Sequence, residues 1–288
     1  IRNFDTSKVT DFTNMFRDCY SLQSLDVSKF NTSNAQLLTM MFYNCSSLKK
    51  IDVSNFDTSK TTSISQMFEY CRNLEEVDIT NFKTAKVTYM GNLFHECNSL
   101  TSIDVSNLDF SSARSIDGLF SGCSSLISVD VSRFKTSQLN TLNGLFTKCS
   151  NLKYIDISNF DTSKITSVST LFDGCTSLTS VKLPKFDSKT VLSTSFMFRN
   201  CEKLISIDLS NFYTGELNYI YSMFEGCKSL ESISMINFDT SAINDMSNLF
   251  KGCENLKEVK IKFDTSMVTS MEHMFDSCTS LTSIDLKK

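Results

Sequence analysis

Met41-Phe42-Tyr43-Asn44-Cys45-Ser46-Ser47-Leu48-Lys49-Lys50-Ile51-Asp52-Val53-Ser54-Asn55-Phe56-Asp57-Thr58-Ser59-Lys60 is the stretch whose reading decides the fold. Around Leu48, Ile51 and Val53 apolar residues alternate with polar ones, the pattern of a short strand with one face buried. The segment that leads into each Met-Phe pair has a different rhythm. Near the start of the chain Val9, Phe12, Met15, Phe16 and Cys19 recur at steps of three and four, which is helical spacing, and Thr10 stands where a cap belongs. The unit therefore predicts one short parallel strand and one short helical turn, joined by polar loops.

The same unit recurs along the chain. Cysteines fall at 19, 45, 71, 97, 123, 149, 175, 201, 227 and 253, each 26 residues after the last, and then at 278; the one shorter step lies around Val259-Lys260-Ile261-Lys262-Phe263. A leucine follows each cysteine by three residues, from Leu22 to Leu281, and a phenylalanine precedes each by three, from Phe16 to Phe275. A second phenylalanine column runs through Phe4, Phe30, Phe56 and Phe82, skips at Leu108 and resumes from Phe134 to Phe263. Together the two columns hold 21 of the 24 phenylalanines, a register that chance does not produce. One unit cannot bury its own apolar faces, whereas stacked copies can. The expectation is an α/β repeat protein: a right-handed solenoid of about eleven coils, with one parallel sheet and short helical turns on the opposite face. No linker interrupts it, so residues 1–288 read as a single domain.

The wider string Met-Phe-x-x-Cys-x-Ser-Leu-x-x-Ile-Asp-Val-Ser-x-Phe-Asp-Thr-Ser resembles the BspA-type leucine-rich-repeat surface proteins of bacteria and mycoplasmas, in their subclass of 25–26-residue repeats. The resemblance covers essentially the whole chain. It departs from ordinary leucine-rich repeats in one respect: the Phe30/Phe56/Phe82 column stands in place of the inward asparagine ladder, so strong horseshoe curvature is not implied. What the resemblance implies is a leucine-rich-repeat-like solenoid displayed outside the cell, on the bacterial surface, with a part in adhesion or host contact.

Composition narrows the function classes. A formal net charge of −4 lacks the basic footprint that nucleic-acid binding requires. No apolar run is long enough to span a bilayer, so no membrane insertion is expected within this sequence. Ile1-Arg2-Asn3-Phe4 matches the late part of a unit and the end at 281–286 matches a strand; the expectation is a fragment of a longer protein, or ends covered by end-to-end self-association.

Candidate sites are weighed against the repeat. No two cysteines are closer than 25 residues and only His95 and His273 are present, which argues against metal binding; the thiols read as small buried hydrophobes, unpaired because equivalent side chains point in parallel. Asp26, Asp52, Asp78, Asp104, Asp130, Asp156, Asp208 and Asp285 fall between two inward apolar positions and should face outward on the sheet. Such a column repels itself by roughly 1 kcal/mol per pair in water, so something must offset it: the hydroxyls two residues on (Ser28, Ser54, Ser106, Ser132, Ser158, Ser210), bound cations, or a positively charged partner. The column breaks at Lys182, Ser234 and Lys260, and the repeat containing Pro184 is the least regular. Both histidines read as solvated surface residues. Because serines and aspartates are periodic, no unique catalytic pocket is singled out, and no enzyme, cofactor or metal is expected. The reading is a non-catalytic surface scaffold that binds a protein or glycan on another cell through the sheet face, including Lys49, Lys50, Glu75, Glu76, Lys153 and Tyr154. The alternative is a structural spacer or shield without a specific ligand.

Overall fold

The structure is a computed structural model, and it describes residues 4–188, 190–214 and 217–284. Equivalent residues of successive units lie over one another. Strand β1 (Lys50–Asp52) pairs in parallel with β2 (Glu76–Asp78), Ile51 facing Val77 and Asp52 facing Asp78. The same relation joins β3 (Tyr154–Asp156) to β4 (Ser180–Lys182), β5 (Phe186–Ser188) to β6 (Phe212–Thr214), and β7 (Ser232–Ser234) to β8 (Glu258–Lys260). In β1, β2, β7 and β8 the middle residue is buried and its neighbours are exposed, as alternation requires.

The single continuous sheet expected from the pattern is instead four two-stranded parallel pairs. Between the pairs the ladder thins to single amide bonds, such as Ile127 N to Thr101 O (3.1 Å) and Glu231 N to Ile205 O (3.1 Å). A second ladder of single parallel pairings runs through Asp11, Leu37, Ser63, Tyr89, Ser115, Thr141, Ser167, Ser193 and Tyr219. In β1, β2 and β3 the aspartate that ends the strand turns the chain. Ser54 N (2.9 Å) and Ser54 Oγ (2.6 Å) both donate to Asp52 Oδ1, an Asx turn that takes the backbone out of the ladder. Where lysine replaces that aspartate the ladder gains a bond, Ile157 N to Lys182 O (3.0 Å) and Met235 N to Lys260 O (2.8 Å).

The expected helical turns are absent: no described residue is helical. Met15 N bonds to Phe12 O, Arg17 N to Asn14 O and Cys19 N to Phe16 O, three overlapping β-turns. The intervening amides leave their own repeat. Phe12 N, Asn14 N, Phe16 N and Asp18 N donate to Leu37, Thr39, Met41 and Tyr43 carbonyls at 2.8–3.1 Å. Reversals every three or four residues return Phe12, Phe16 and Cys19 to one side, which reproduces helical spacing without a helix. Thr10 accordingly caps nothing, and its carbonyl accepts from Gln36 N and Leu37 N. Two of the three turns in each repeat carry a left-handed residue at the third position, as type II turns require, among them Asn14 and Asp18, Asn92 and Glu96, Gly118 and Gly122.

Four ladders hold the interior. Phe16, Phe42, Phe68, Phe94 and onward to Phe275 stack face to face, with ring centroids 5.4–6.1 Å apart. The cysteines stand in single file, and all eleven are free thiols. Each from Cys45 to Cys278 donates to the phenylalanine carbonyl of the preceding repeat, Cys45 Sγ to Phe16 O at 3.1 Å being the first. The thiol is therefore a hydrogen-bonding group as well as a small hydrophobe, since that carbonyl's other partner, Cys19 N, uses only one of its two lone pairs. A buried threonine column stitches the opposite corner: Thr58 Oγ1 donates to Lys83 O (3.2 Å) and accepts from Lys83 N (2.6 Å). An asparagine ladder is present after all, one residue ahead of the second phenylalanine column. Asn55 Nδ2 donates to Val27 O and Phe30 O, and Asn107 Nδ2 to Ile79 O and Phe82 O, at 2.8–3.2 Å.

Replacing Thr58 by valine keeps the shape and strands a part-buried amide and carbonyl of Lys83. Thr58→Val is expected to lower the unfolding free energy by about 1–3 kcal/mol, while Thr62→Val, whose bond to Gln36 O is exposed, changes it by less than about 0.5 kcal/mol. Urea denaturation of the two variants checks this, and equal effects contradict it.

Candidate functional site

The aspartate column lies where its spacing places it, on the outer face of the strands. Asp26, Asp52, Asp78, Asp104, Asp130 and Asp208 are exposed and Asp156 is half-buried; Asp285 lies outside the described residues. Each of these seven carboxylates accepts from the amide two residues on, at 2.8–3.1 Å. Ser28, Ser54, Thr80 and Ser158 add their hydroxyls at 2.6–2.7 Å. These bonds stabilise the charged form and so offset the crowding of like charges. The hydroxyl and amide of Ser54, Ser106, Ser132 and Ser210 hold Asp52, Asp104, Asp130 and Asp208 below the usual carboxylate range. Asp156 falls further, to about 2, through Ser158 and then Lys182. Among the described residues no three His, Cys, Asp or Glu side chains group as a metal site requires.

Lys50 and Glu76 meet across β1 and β2, Nζ to Oε2 at 2.7 Å, with both side chains about two-thirds exposed. Tyr154 lies on the same face, its hydroxyl 3.3 Å from Asp156 Oδ2, and Asp156 also pairs with Lys182 at 3.2 Å. The face is not uniformly polar. Ile127, Tyr154 and Ile205 are 54%, 43% and 53% exposed; Tyr154 begins β3, and Ile127 and Ile205 stand one position ahead of it in repeats that form no strand there.

Sequence reading missed the charge pairing between repeats. Asp173 and Arg199 form a bidentate pair (2.6 and 2.9 Å) in which Asp173 is buried. Glu202 meets Lys228, Glu225 meets Lys251 and Glu231 meets Lys257 through single, more exposed contacts of 3.0–3.9 Å. All four are opposite charges 26 residues apart, a signal visible in the sequence once the period is known. His95 departs from the solvated position expected of it. It is half-buried, edge-on to Tyr70 with centroids 5.3 Å apart, and its Nδ1 is buried without a partner. Glu69, one repeat earlier in the same column, is 5% exposed with Oε2 also unpartnered, and burial raises its carboxyl pKa. His273 is exposed, 3.3 Å from both Glu272 and Asp276.

A family model described as "Mycoplasma protein of unknown function, DUF285" matches residues 1–51, 49–154, 140–237 and 220–288. The chain belongs to this family. No curated protein matches it. Among solved structures, a leucine-rich cell surface protein from Faecalibacterium prausnitzii is similar at 21% identity and a TM-score of 0.38, over 89% of this chain and 78% of that one. A leucine-rich-repeat protein from Bacteroides ovatus is similar at 23% identity and a TM-score of 0.41, over 89% and 70%. An internalin from Listeria monocytogenes is similar at 15% identity and a TM-score of 0.31, over 88% and 79%. The BspA-type leucine-rich-repeat resemblance read from the repeat is consistent with the family match, which runs through every repeat. Among the described residues no helix is long and apolar enough to cross a membrane.

Eleven aspartates, Asp5, Asp11, Asp18, Asp52, Asp57, Asp104, Asp109, Asp130, Asp156, Asp161 and Asp208, are held below their ordinary value. Burial raises two carboxyls, Glu69 and Asp117. A carboxylate whose folded pKa is depressed stabilises the fold above its unfolded value, and that contribution is lost as pH falls through the folded one. Eleven against two sets the sign. The thermal midpoint is expected to hold from pH 7 to pH 5 and to fall between about pH 4 and pH 2; a midpoint unchanged at pH 2 contradicts this.

Proposed function

We propose that residues 1–288 form one continuous repeat domain that acts as a non-catalytic scaffold on the bacterial cell surface, binding a protein or glycan of another cell through its sheet face. The observation that carries this reading is the exposure of Ile127, Tyr154 and Ile205 on a face whose other positions are mostly serine, threonine or charged. A spacer gains nothing from large apolar groups in water, whereas aromatic and aliphatic anchors supply most of the energy of interfaces. The flanking columns vary from repeat to repeat: Gln23, Lys49, Glu75, Thr101, Ile127, Lys153, Thr179, Ile205, Glu231 and Lys257 occupy equivalent positions. A surface that differs along its length can distinguish partners, while the ladders beneath it keep the backbone constant.

The Asp26-to-Asp208 column joins this surface as its charged border. Its carboxylates also close turns, so charge reversal there disturbs the fold and is a poor probe of binding. The apolar positions are better. The triple variant Ile127→Ser, Tyr154→Ser, Ile205→Ser is expected to bind cultured epithelial cells at least tenfold more weakly than the parent chain, with the same melting temperature. A parent chain that binds no cells, or a triple variant that binds as well, contradicts the proposal and favours a spacer.

A further inference from the structure

The repeat containing Pro184 breaks the corner that its neighbours close. In regular repeats an Asx turn from aspartate to the amide two residues on leads into a β-turn, seen in Phe56 N to Val53 O and Phe160 N to Ile157 O. Here both partners of the Asx turn are missing: Lys182 replaces the aspartate and Pro184 has no N–H. The equivalent bond from Phe186 N to Leu183 O is not formed among the described residues. The threonine stitch slips as well. Thr58 and Thr136 reach carbonyls 25 residues on, whereas Thr162 Oγ1 reaches Lys185 O, 23 residues on, at 2.9 Å. The asparagine stitch is also lost. Asn81 Nδ2 donates to Ser54 O and Asn237 Nδ2 to Ser210 O at 2.8–2.9 Å, but Asn211 makes no such bond among the described residues.

These failures open a cleft of about 190 Å³ between the two repeats, lined by Ser158, Val181, Lys182, Leu183, Pro184, Asp208, Asn211 and Phe212. We propose that this cleft binds one pyranose ring of a neutral saccharide; the proposal deepens the surface-scaffold reading and rests on it. Size restricts the occupant first. Pockets for drug-sized ligands are typically about 300–1,000 Å³, so this cleft admits a single ring. Charge restricts it next. The only lining cation, Lys182, already pairs with Asp156 at 3.2 Å, and Asp208 adds a carboxylate, so a phosphate or carboxylate ligand is disfavoured. Chemistry makes the match. Val181 and Leu183, both half-buried, offer an apolar surface for the C–H face of a sugar, over a floor of buried Pro184 and Phe212. Asp208 and Asn211 offer an acceptor and an unengaged amide for adjacent hydroxyls. Tyr154, joined to Lys182 through Asp156, brings an exposed aromatic ring to the same neighbourhood.

The test uses the full chain and methyl glycosides of glucose, galactose, mannose, N-acetylglucosamine and N-acetylgalactosamine, with binding read by saturation-transfer NMR. At least one is expected to bind saturably. Asn211→Ala, which removes no bond among the described residues, is expected to weaken that binding at least tenfold without lowering the melting temperature, and Asp208→Asn, which keeps an acceptor for its turn but gives up the charge, to weaken it at least tenfold. No saturable binding by any of the five, or binding unchanged in Asn211→Ala, overturns the proposal. A parent chain that binds cells but none of the five glycosides removes the cleft and spares the scaffold reading. Cell binding lost in the triple apolar variant with sugar binding intact supports a separate saccharide site.

Discussion

The structure depends on how the turn segment satisfies its amides. In a helix every N–H returns to its own segment; here every second one crosses to the next repeat, as in Phe42 N to Met67 O and Phe68 N to Leu93 O at 3.0 Å. Buried amides must find partners, so each repeat is incomplete without its neighbour and the register is fixed at the backbone. The side-chain ladders follow from that register. Once Phe42 stands over Phe16, the thiol of Cys45 is brought to the Phe16 carbonyl, and a residue that is both small and a donor suits the site. Burial then pushes the Cys45 thiol up to about 12 and raises the thiols of its buried neighbours, so the column is chemically quiet.

The period, the columns and the inward strand residues were legible because they are apolar and recur. What was misread is instructive. Phe12, Met15, Phe16 and Cys19 have helical spacing because chained β-turns also reverse every three or four residues, and spacing alone does not separate the two. The residues that do separate them were present. Asn14, Asp18, Asn44, Gly118, Gly122 and Gly252 mark left-handed positions that no helix interior accepts. The asparagine ladder was overlooked because Asn55 and Asn81 sit beside a conspicuous phenylalanine. The skip at Leu108 has a local answer: Phe110 is fully buried in the threonine column and its ring centroid lies 4.1 Å from that of Phe134. The volume is restored, at the loss of one threonine stitch.

Function was harder to read for the reverse reason. A ladder is visible because it repeats, whereas a recognition surface consists of the positions that do not. Ile127, Tyr154 and Ile205 look like drift in the sequence, and only the structure shows that they are exposed. The Pro184 repeat was noticed as irregular, but the slip from 25 to 23 residues and the released Asn211 side chain belong to the three-dimensional register alone. Regularity builds the platform, and departures from it create the places where another molecule can be held.

The central claim concerns the destination of particular amide protons. Scalar couplings across hydrogen bonds, measured by NMR on a deuterated sample, report it directly. The account predicts a coupling from the Phe42 amide nitrogen to the Met67 carbonyl carbon, matching the 3.0 Å bond. A coupling from Phe42 to Leu38, four residues back in its own segment, would show a helix and contradict the account.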